Sequence, residues 1–353
     1  MVVCDLDLGA DPWGRLAEGR VAGTIAWGGG SPLPVTVAIR GAHSRRFPKR
    51  SLQVTLRGPF LPDAPPEGHM VRRIHLNADY IDPTLMRSRL SFALFDALGV
   101  PAPHCQHVAL HVSGEYAGLY VALESVDADF LRRRSWEPGP VYYAVNRNAN
   151  FGLVSPFTRT MKGSLDTGYQ PVAKADTGPL RRMLTDINLA SERAFPRVAV
   201  RWVDVSGYLR WLAVAVFVGN RDGFVHNYAL YFDPAAHQFH IIPWDYDATW
   251  GIDINGKPAR LDRVPLTGWN KLTHRLMDVP GFREEYRRIL LSALDGPCSP
   301  QAVSARIDRI QWAIAPWTDT IRQDAGDFEA GIRALVRWAE ERGALLRNQL
   351  RGL

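Results

Sequence analysis

An α+β fold in two lobes is expected from three observations. Residues 20–58 carry short runs of alternating apolar and polar residues separated by glycine and polar breaks, the pattern of strands. Val205–Gly219 is apolar almost throughout, as a buried helix would be, and from about Pro280 onward apolar residues recur at helical spacing. Strands gathered toward one end and helices toward the other argue for segregated α+β layers rather than alternating α/β units. The β-rich lobe is assigned to residues 1–127, with one inserted helix, and the mostly helical lobe to residues 128–353.

Taken in order, Arg20–Trp27 alternates loosely, Gly28–Gly30 breaks it, and Val35–Arg40 and Leu52–Arg57 follow as strands. Pro59–Gly68 holds four prolines and reads as a loop. Asp82-Pro83 has the chemistry of a helix start, an N-cap carboxylate followed by proline at the first helical position. The helix Pro83–Leu98 is expected to stop at Gly99. His107–Val112 and Tyr116–Leu123 form a hairpin around Ser113-Gly114-Glu115, and a helical turn is expected at Ala128–Arg134. Trp136–Gly178, rich in Asn, Gly and Pro, reads as irregular, and loops of that length tend to be functional or to mark a boundary between lobes. Helices at Leu180–Ile187 and Val205–Gly219 come next. A second hairpin then pairs Tyr228–Asp233 with Phe239–Pro243, and the last third is helical, interrupted at Pro300 and Pro316. Trp202, Trp211, Trp244 and Trp250 are expected in packing roles.

Composition excludes several classes. Among 353 residues 46% are hydrophobic and 22% charged, which is too apolar for a disordered chain. No apolar run is long enough for a membrane-spanning helix, and the first fifteen residues lack the basic and apolar regions of a secretory signal. A soluble, cytoplasmic protein without membrane contacts is expected. Cys4, Cys105 and Cys298 are odd in number and far apart, so neither a disulfide framework nor a zinc site follows, and His104 and His107 lack a second ligand pair. The net charge of +6 is spread along the chain, unlike a nucleic-acid groove, and is compatible with an anionic small molecule. Only five basic residues are lysines: Lys49, Lys162, Lys174, Lys257 and Lys271.

The most informative segment is GNRDGFVHNYALYF (Gly219–Phe232), followed by HIIPWDYDATWG (His240–Gly251). Asp222 and Asn227 stand in a D-x4-N relation between a buried helix and a hairpin, and Asp245 follows the hairpin's second strand. Phosphoryl transfer needs a carboxylate to orient the attacking hydroxyl, and a carboxamide with a further carboxylate to hold Mg²⁺ on the nucleotide phosphates. The order and spacing match that template. Loop caps at Asp222 and Asn227, or a calcium-type carboxylate pair at Asp245 and Asp247, are the competing readings. Near the N-terminus, RGAHSRRFPKRSLQVTL (Arg40–Leu56) offers Gly41 for a tight turn, with Ser44, Arg45, Arg46 and Lys49 as phosphate donors; the competing reading is a solvated basic hairpin. Neither a P-loop nor a Rossmann fingerprint occurs.

Five ordered segments together resemble the CotH kinase family, the spore-coat-protein-H-like atypical kinases. They are RGAHSRRFPKRSLQVTL, NADYIDPTLMRSRLSFALFDALGVPAP (Asn77–Pro103), VSGEYAGLYVALESVD (Val112–Asp127), GNRDGFVHNYALYFDP (Gly219–Pro234) and IIPWDYDATWG (Ile241–Gly251). They span about residues 40–251, and no motif matches the C-terminal third. The resemblance implies a divergent protein-kinase-like two-lobe fold that uses ATP and Mg²⁺, or Mn²⁺, to phosphorylate Ser or Thr of a protein substrate. By motif, Asp222 is the catalytic carboxylate and Asn227 and Asp245 the metal ligands, with Asp247 close enough in WDYD to compete. Arg40, Ser44, Arg45 and Lys49 fall in the segment expected near the phosphates, Lys49 as the phosphate lysine. Arg87 is placed to replace or orient that contact, and Glu124 to face adenine or ribose. Two departures stand out. Relatives often read RGNS or RGNT where this chain has Arg40-Gly41-Ala42-His43, and Tyr143 stands where a Lys is common, leaving Arg147, Lys162 or Lys174 for its role. Ser155, Ser164 and Thr167 are candidate self-phosphorylation sites. The alternatives are another ATP-dependent transfer (adenylylation, ligation or small-molecule phosphorylation) or a non-catalytic coat or surface protein. Oligomeric state is not legible.

Overall fold

The computed structural model describes residues 1–60, 71–320 and 325–353. The expected proline-rich loop lies outside them from residue 61 onward. The chain divides into two compact units, one of residues 1–89, 103–135 and 306–332, the other of residues 90–102, 136–305 and 333–353.

The first unit is built on β1 (Val2–Asp7), α1 (Pro12–Glu18), β2 (Val21–Trp27), β3 (Leu33–Ile39), β4 (Leu52–Phe60), β5 (Val71–Asn77), the first residues of α2 (Arg87–Ala97), β6 (Cys105–Val112), β7 (Glu115–Glu124) and α3 (Ala128–Arg133). The strands close into a barrel in the order β1-β2-β3-β4-β5-β7-β6. Closure rests on β1, a strand not anticipated from sequence, which pairs antiparallel with β2 and parallel with β6. Its alternation is readable once seen: Cys4 and Leu6 point inward and Asp5 and Asp7 outward. Val35, Val37, Val54, Leu76 and Leu110 join them in the barrel core. A full ring removes the open sheet edges that invite aggregation.

The helix expected from Pro83 starts four residues later. Asp82 does cap, but across a turn: its carboxylate accepts the backbone N–H of Thr84 at 2.9 Å and of Arg87 at 2.8 Å, while Leu85 adopts φ 54° outside the helix. Gly99 ends the segment as expected, its N–H bonded to Asp96.

The second unit holds the rest of α2, then β8 (Val141–Ala144), β9 (Tyr169–Pro171), α4 (Gly178–Leu189), α5 (Phe195–Trp202), α6 (Val205–Val218), β10 (Tyr228–Asp233), β11 (Gln238–Pro243), α7 (Lys271–Met277), α8 (Pro280–Asp295), the start of α9 (Pro300–Ile314) and the C-terminal part of α10 (Ala325–Gln349). Its sheet runs β11-β10-β8-β9, so the stretch expected to be irregular supplies two strands. Pro300 starts a helix instead of interrupting one, as its fixed φ allows at a first turn. Along α6 every residue but Ser206 and Arg210 is buried, with Asp204 capping its start. Trp202, Trp211 and Trp250 are buried as anticipated, whereas Trp244 is partly exposed. No helix among the described residues is long and apolar enough to cross a membrane.

The end of α6 is fixed from α10. Arg342, at 0% exposure, donates from Nε and Nη2 to Val216 O (3.1 and 2.8 Å), from Nη1 to Leu261 O (2.7 Å) and from Nη2 to Val264 O (2.7 Å). Burial pulls its pKa down to about 10, which leaves it charged at neutral pH. Trp338 Nε1 donates to Phe217 O at 2.9 Å, and its ring lies against two glycines in left-handed conformation. A Cβ on Gly219 (φ 72°) would sit 2.6 Å from Trp338 Cζ2, and one on Gly251 (φ 85°) would sit 2.9 Å from Cε3. Gly219→Ala therefore combines backbone strain with overlap and is expected to cost about 2–3 kcal/mol. Arg342→Met, which leaves buried carbonyls without donors, should cost about 3 kcal/mol or more. Urea midpoints followed by tryptophan fluorescence check both; wild-type midpoints would contradict this account of α10.

Candidate active site

In the second unit, the segment from Gly219 to Gly251 is anchored at both ends. Gly219 closes α6, and Trp250 N donates to Val218 O at 2.7 Å, so the chain returns to the helix end it left. Between these points Asn220 Oδ1 accepts Gly223 N (2.9 Å) and shapes a 3-10 turn over Asp222–Phe224. Phe224 is buried with its ring centroid 5.6 Å from Trp211 and 4.9 Å from Trp269, which pins the turn from below. Asp222 stays accessible, its side chain 27% exposed.

Asn227 takes φ 59°, a left-handed geometry that Asn tolerates better than most residues. Its N–H donates to Ala144 O (3.1 Å) and its carbonyl accepts Trp244 N (3.2 Å). Because Tyr228 pairs with Pro243 in the β10–β11 ladder, Asn227 stands opposite Trp244, next to Asp245. Asp245 is exposed and also left-handed, at φ 61°. Such strain persists where surrounding structure over-determines it, and here Tyr246 supplies the anchor. It is buried, packed against the rings of Phe92 (5.8 Å) and Phe95 (4.9 Å). Asp247, two residues on, is partly buried.

His226 ties these groups together. Its Nε2 lies 3.9 Å from Asp222 Oδ2. Burial lowers its pKa, while the charges of Asp222 and Asp245 raise it and Arg147 lowers it. Both carboxylates and Arg147 therefore act on one imidazole. Of the three cations considered in place of the family's lysine, Arg147 acts on His226 in this cluster. Lys162 is buried and donates to Asn148 O and Asn150 Oδ1. Tyr143, at the departed position, packs edge-on against Trp244 with centroids 5.1 Å apart. Of the suggested modification sites, Ser164 and Thr167 are exposed, but Ser155 is buried and its Oγ accepts Phe157 N at 3.2 Å.

The first unit holds the basic candidates. Arg40 Nη1 donates to Asn77 Oδ1. Gly41 takes φ 93°, and Ser44 Oγ occupies the space a Cβ would need. Arg45 curls back onto its own turn, with Nε on Gly41 O (2.8 Å) and Nη2 on Ile39 O (2.7 Å). Lys49 Nζ donates to Ala78 O (3.1 Å) and Leu119 O and lies 4.5 Å from the Tyr120 ring centroid. Arg87, 2% exposed, is engaged by Asp82 in a buried ion pair. Glu124 is equally committed: it faces Arg133 and Arg134 at 3.4 Å and accepts His104 N at 3.0 Å. Arg87 and Glu124 thus occupy structural ion pairs in this unit.

One strip, Asn77–Asp82, holds three of the cations singled out in the sequence: Asn77 holds Arg40, Ala78 holds Lys49 and Asp82 holds Arg87. The residues of that strip had no site role in the sequence reading. Their signal was there, since NADYID sets an amide at the end of a strand and two acids just beyond it. Among the described residues, no three His, Cys, Asp or Glu side chains form a metal-binding group. His107 is buried, its Nε2 2.7 Å from Leu85 O and its Nδ1 3.0 Å from Arg89 Nη1.

Residues 37–346 match the family model described as CotH kinase protein. The inner spore coat protein H of Bacillus subtilis (strain 168) is 39% identical over 323 residues, covering 90% of this chain and 88% of that protein. An inner spore coat protein H-like protein of the same organism is 26% identical over 261 residues, covering 72% of this chain and 70% of that protein. Among solved structures, the Helicobacter pylori proinflammatory kinase CtkA aligns over 85% of this chain and 94% of its own, at 11% identity and a TM-score of 0.41. The family match runs beyond the last motif at Gly251, past Trp338 and Arg342, and a relative shares well over a third of the residues along nine-tenths of the chain. On that footing, the chain belongs to the CotH kinase protein family.

Proposed function

We propose that this chain is an ATP- and Mg²⁺-dependent phosphotransferase that moves the ATP γ-phosphate to a Ser or Thr hydroxyl of a protein. The observation that carries the reading is the convergence of Asp222 and Asp245 on His226, with Asn227 set opposite Trp244 by the hairpin register. In the reaction the hydroxyl oxygen bonds to the γ-phosphorus, the bond to the β-phosphate oxygen breaks, and ADP leaves. Asp222 orients the hydroxyl and takes its proton. Burial favours neutral His226, so Asp222 is not tied up by an imidazolium beside it at neutral pH.

Asn227, Asp245 and Asp247 offer oxygen donors only, a set that suits Mg²⁺ and equally Mn²⁺. When bound, the ion would neutralise charge on the triphosphate. Lys49 is the phosphate-side cation of this reading and Arg40 its neighbour, while Arg87 and Glu124 support the surrounding backbone. The acceptor is taken to be a protein. The Bacillus subtilis relative is named for the inner spore coat, and association with such a coat is part of the same reading.

Asp222→Ala should reduce acid-stable labelling from γ-labelled ATP by about 10²–10⁴-fold, the usual contribution of a positioned general base, while ATP affinity changes little. Asp245→Ala should instead weaken Mg-ATP binding, by about tenfold or more in calorimetry. Undiminished transfer by Asp222→Ala would remove the assignment, and label from α-labelled ATP would point to adenylylation.

A further inference from the structure

We propose that the mouth of the barrel opposite the Arg40–Lys49 turn binds a small carboxylic acid with an apolar body, at a site separate from the one proposed for the nucleotide. Trp27 closes β2, Val71 opens β5, Gln106 lies at the start of β6 and Glu124 closes β7. In the ladders that join these strands Ile74 stands opposite Glu124 and Gln106 opposite Ala122, so the strand ends gather at one mouth. A pocket opens there, with about 320 Å³ of space free of protein atoms, counted out to its solvent opening. Barrel mouths are among the places where small-ligand sites form, and the space is of the size such ligands need. Arg40 and Asn77 belong to the other mouth, where β3 and β5 end. The Leu119 carbonyl that holds Lys49 is five residues back along β7 from Glu124, about 16 Å at strand spacing.

The pocket sets a cationic rim over an apolar floor. Trp27, Val71, Ile74 and Ala122, all members of the barrel core, line the floor. Arg73, Arg133, His104 and Glu124 stand at the rim. Glu124, the one acid of the lining, is compensated twice: its Oε1 lies 3.4 Å from Arg133 Nε and its Oε2 lies 3.4 Å from Arg134 Nη1. Arg73 is held more loosely, with Nη1 4.0 Å from Asp127 Oδ2 and a side chain 39% exposed. Two guanidiniums against one carboxylate leave the lining positively charged. Arg73 Nε, Arg133 Nε and His104 Nε2 are buried without a hydrogen-bond partner, Arg133 Nε facing Glu124 without closing one. The Arg133 side chain is only 6% exposed. A buried donor left unpaired is costly, and an acceptor supplied by a ligand removes that cost. Burial, then the charge of Arg133, lowers the His104 pKa while Glu124 raises it, so the ring is neutral at neutral pH. A carboxylate suits this rim because a guanidinium matches its paired oxygens, and an apolar body suits the floor. A phosphate would leave the floor unused and carry more charge than one net cation offsets.

The test titrates 4-fluorophenylacetate with the full chain and follows the fluorine NMR line of the ligand. Wild type should broaden that line with a dissociation constant of about 1 mM or tighter, as a ligand of this size allows. The uncharged 4-fluorophenylacetamide should bind about tenfold more weakly, having lost the charge-assisted bonds. Arg73→Gln should weaken binding of the acid about tenfold and Arg73→Lys by less, both with the urea midpoint of wild type. Equal binding of acid and amide by wild type overturns the proposal, as does equal binding of the acid by wild type and Arg73→Gln. No broadening of the acid's line by wild type also overturns it. Excess Mg-ATP should leave the acid bound; displacement would make the pocket part of the nucleotide site and overturn the proposal. None of these readouts needs phosphate transfer, so the result is independent of the kinase reading.

Discussion

The buried contact between Arg342 and the end of α6 is the constraint on which the second unit's site depends. A helix ends with carbonyls that lack intrahelical partners, and burying them without donors is costly. Arg342 satisfies Val216 and, from the same guanidinium, the loop carbonyls of Leu261 and Val264. Its planar fork can serve several acceptors at once, which a lysine's point charge could not do with the same geometry. The neighbouring Trp338 bonds Phe217 O and fills the space left by the missing side chains of Gly219 and Gly251. The acids and the amide of the site all lie on the chain between those two glycines. A C-terminal helix with no recognisable motif thus sets the start and finish of the segment that carries the candidate site.

The first unit solves a related problem with the signs reversed. Three cations stand beside one short strip of acceptors, and each is satisfied differently: Arg40 by an amide, Lys49 by carbonyls, Arg87 by a fully buried ion pair. Removing one member of a buried pair leaves the other uncompensated, which is why Arg87 and Asp82 are better understood as a structural unit than as a reserve of positive charge. Lys49 differs because its hydrogen-bond partners are the neutral carbonyls of Ala78 and Leu119, which leaves its charge sensitive to its surroundings.

Much of this was legible in the sequence, for physical reasons that can be named. The apolar run of α6 and both hairpins were read correctly because their patterns are local. D-x4-N followed by a strand-end Asp gave a site hypothesis because hairpin register converts sequence distance into proximity. What escaped was non-local or locally ambiguous. β1 looked like an acidic terminus because Asp5 and Asp7 are on its outer face, and its parallel partner lies about a hundred residues away. β8 and β9 are three or four residues long and were lost among loop-forming residues. Asp82-Pro83 announced a helix, but Leu85 takes a left-handed turn before the helix begins. Arg342 could not be singled out because a charged residue's burial is decided by distant segments, not by its neighbours in sequence.

We assign Asn227 and Asp245, strained into left-handed conformations on facing sides of one hairpin, to a divalent-metal site for a nucleotide. Electron paramagnetic resonance of Mn²⁺ titrated into the protein with ATP tests it most directly. Wild type should give a nucleotide-dependent bound Mn²⁺ signal that is lost in an Asn227→Ala, Asp245→Ala double variant. Equal Mn²⁺ binding by the variant would contradict it.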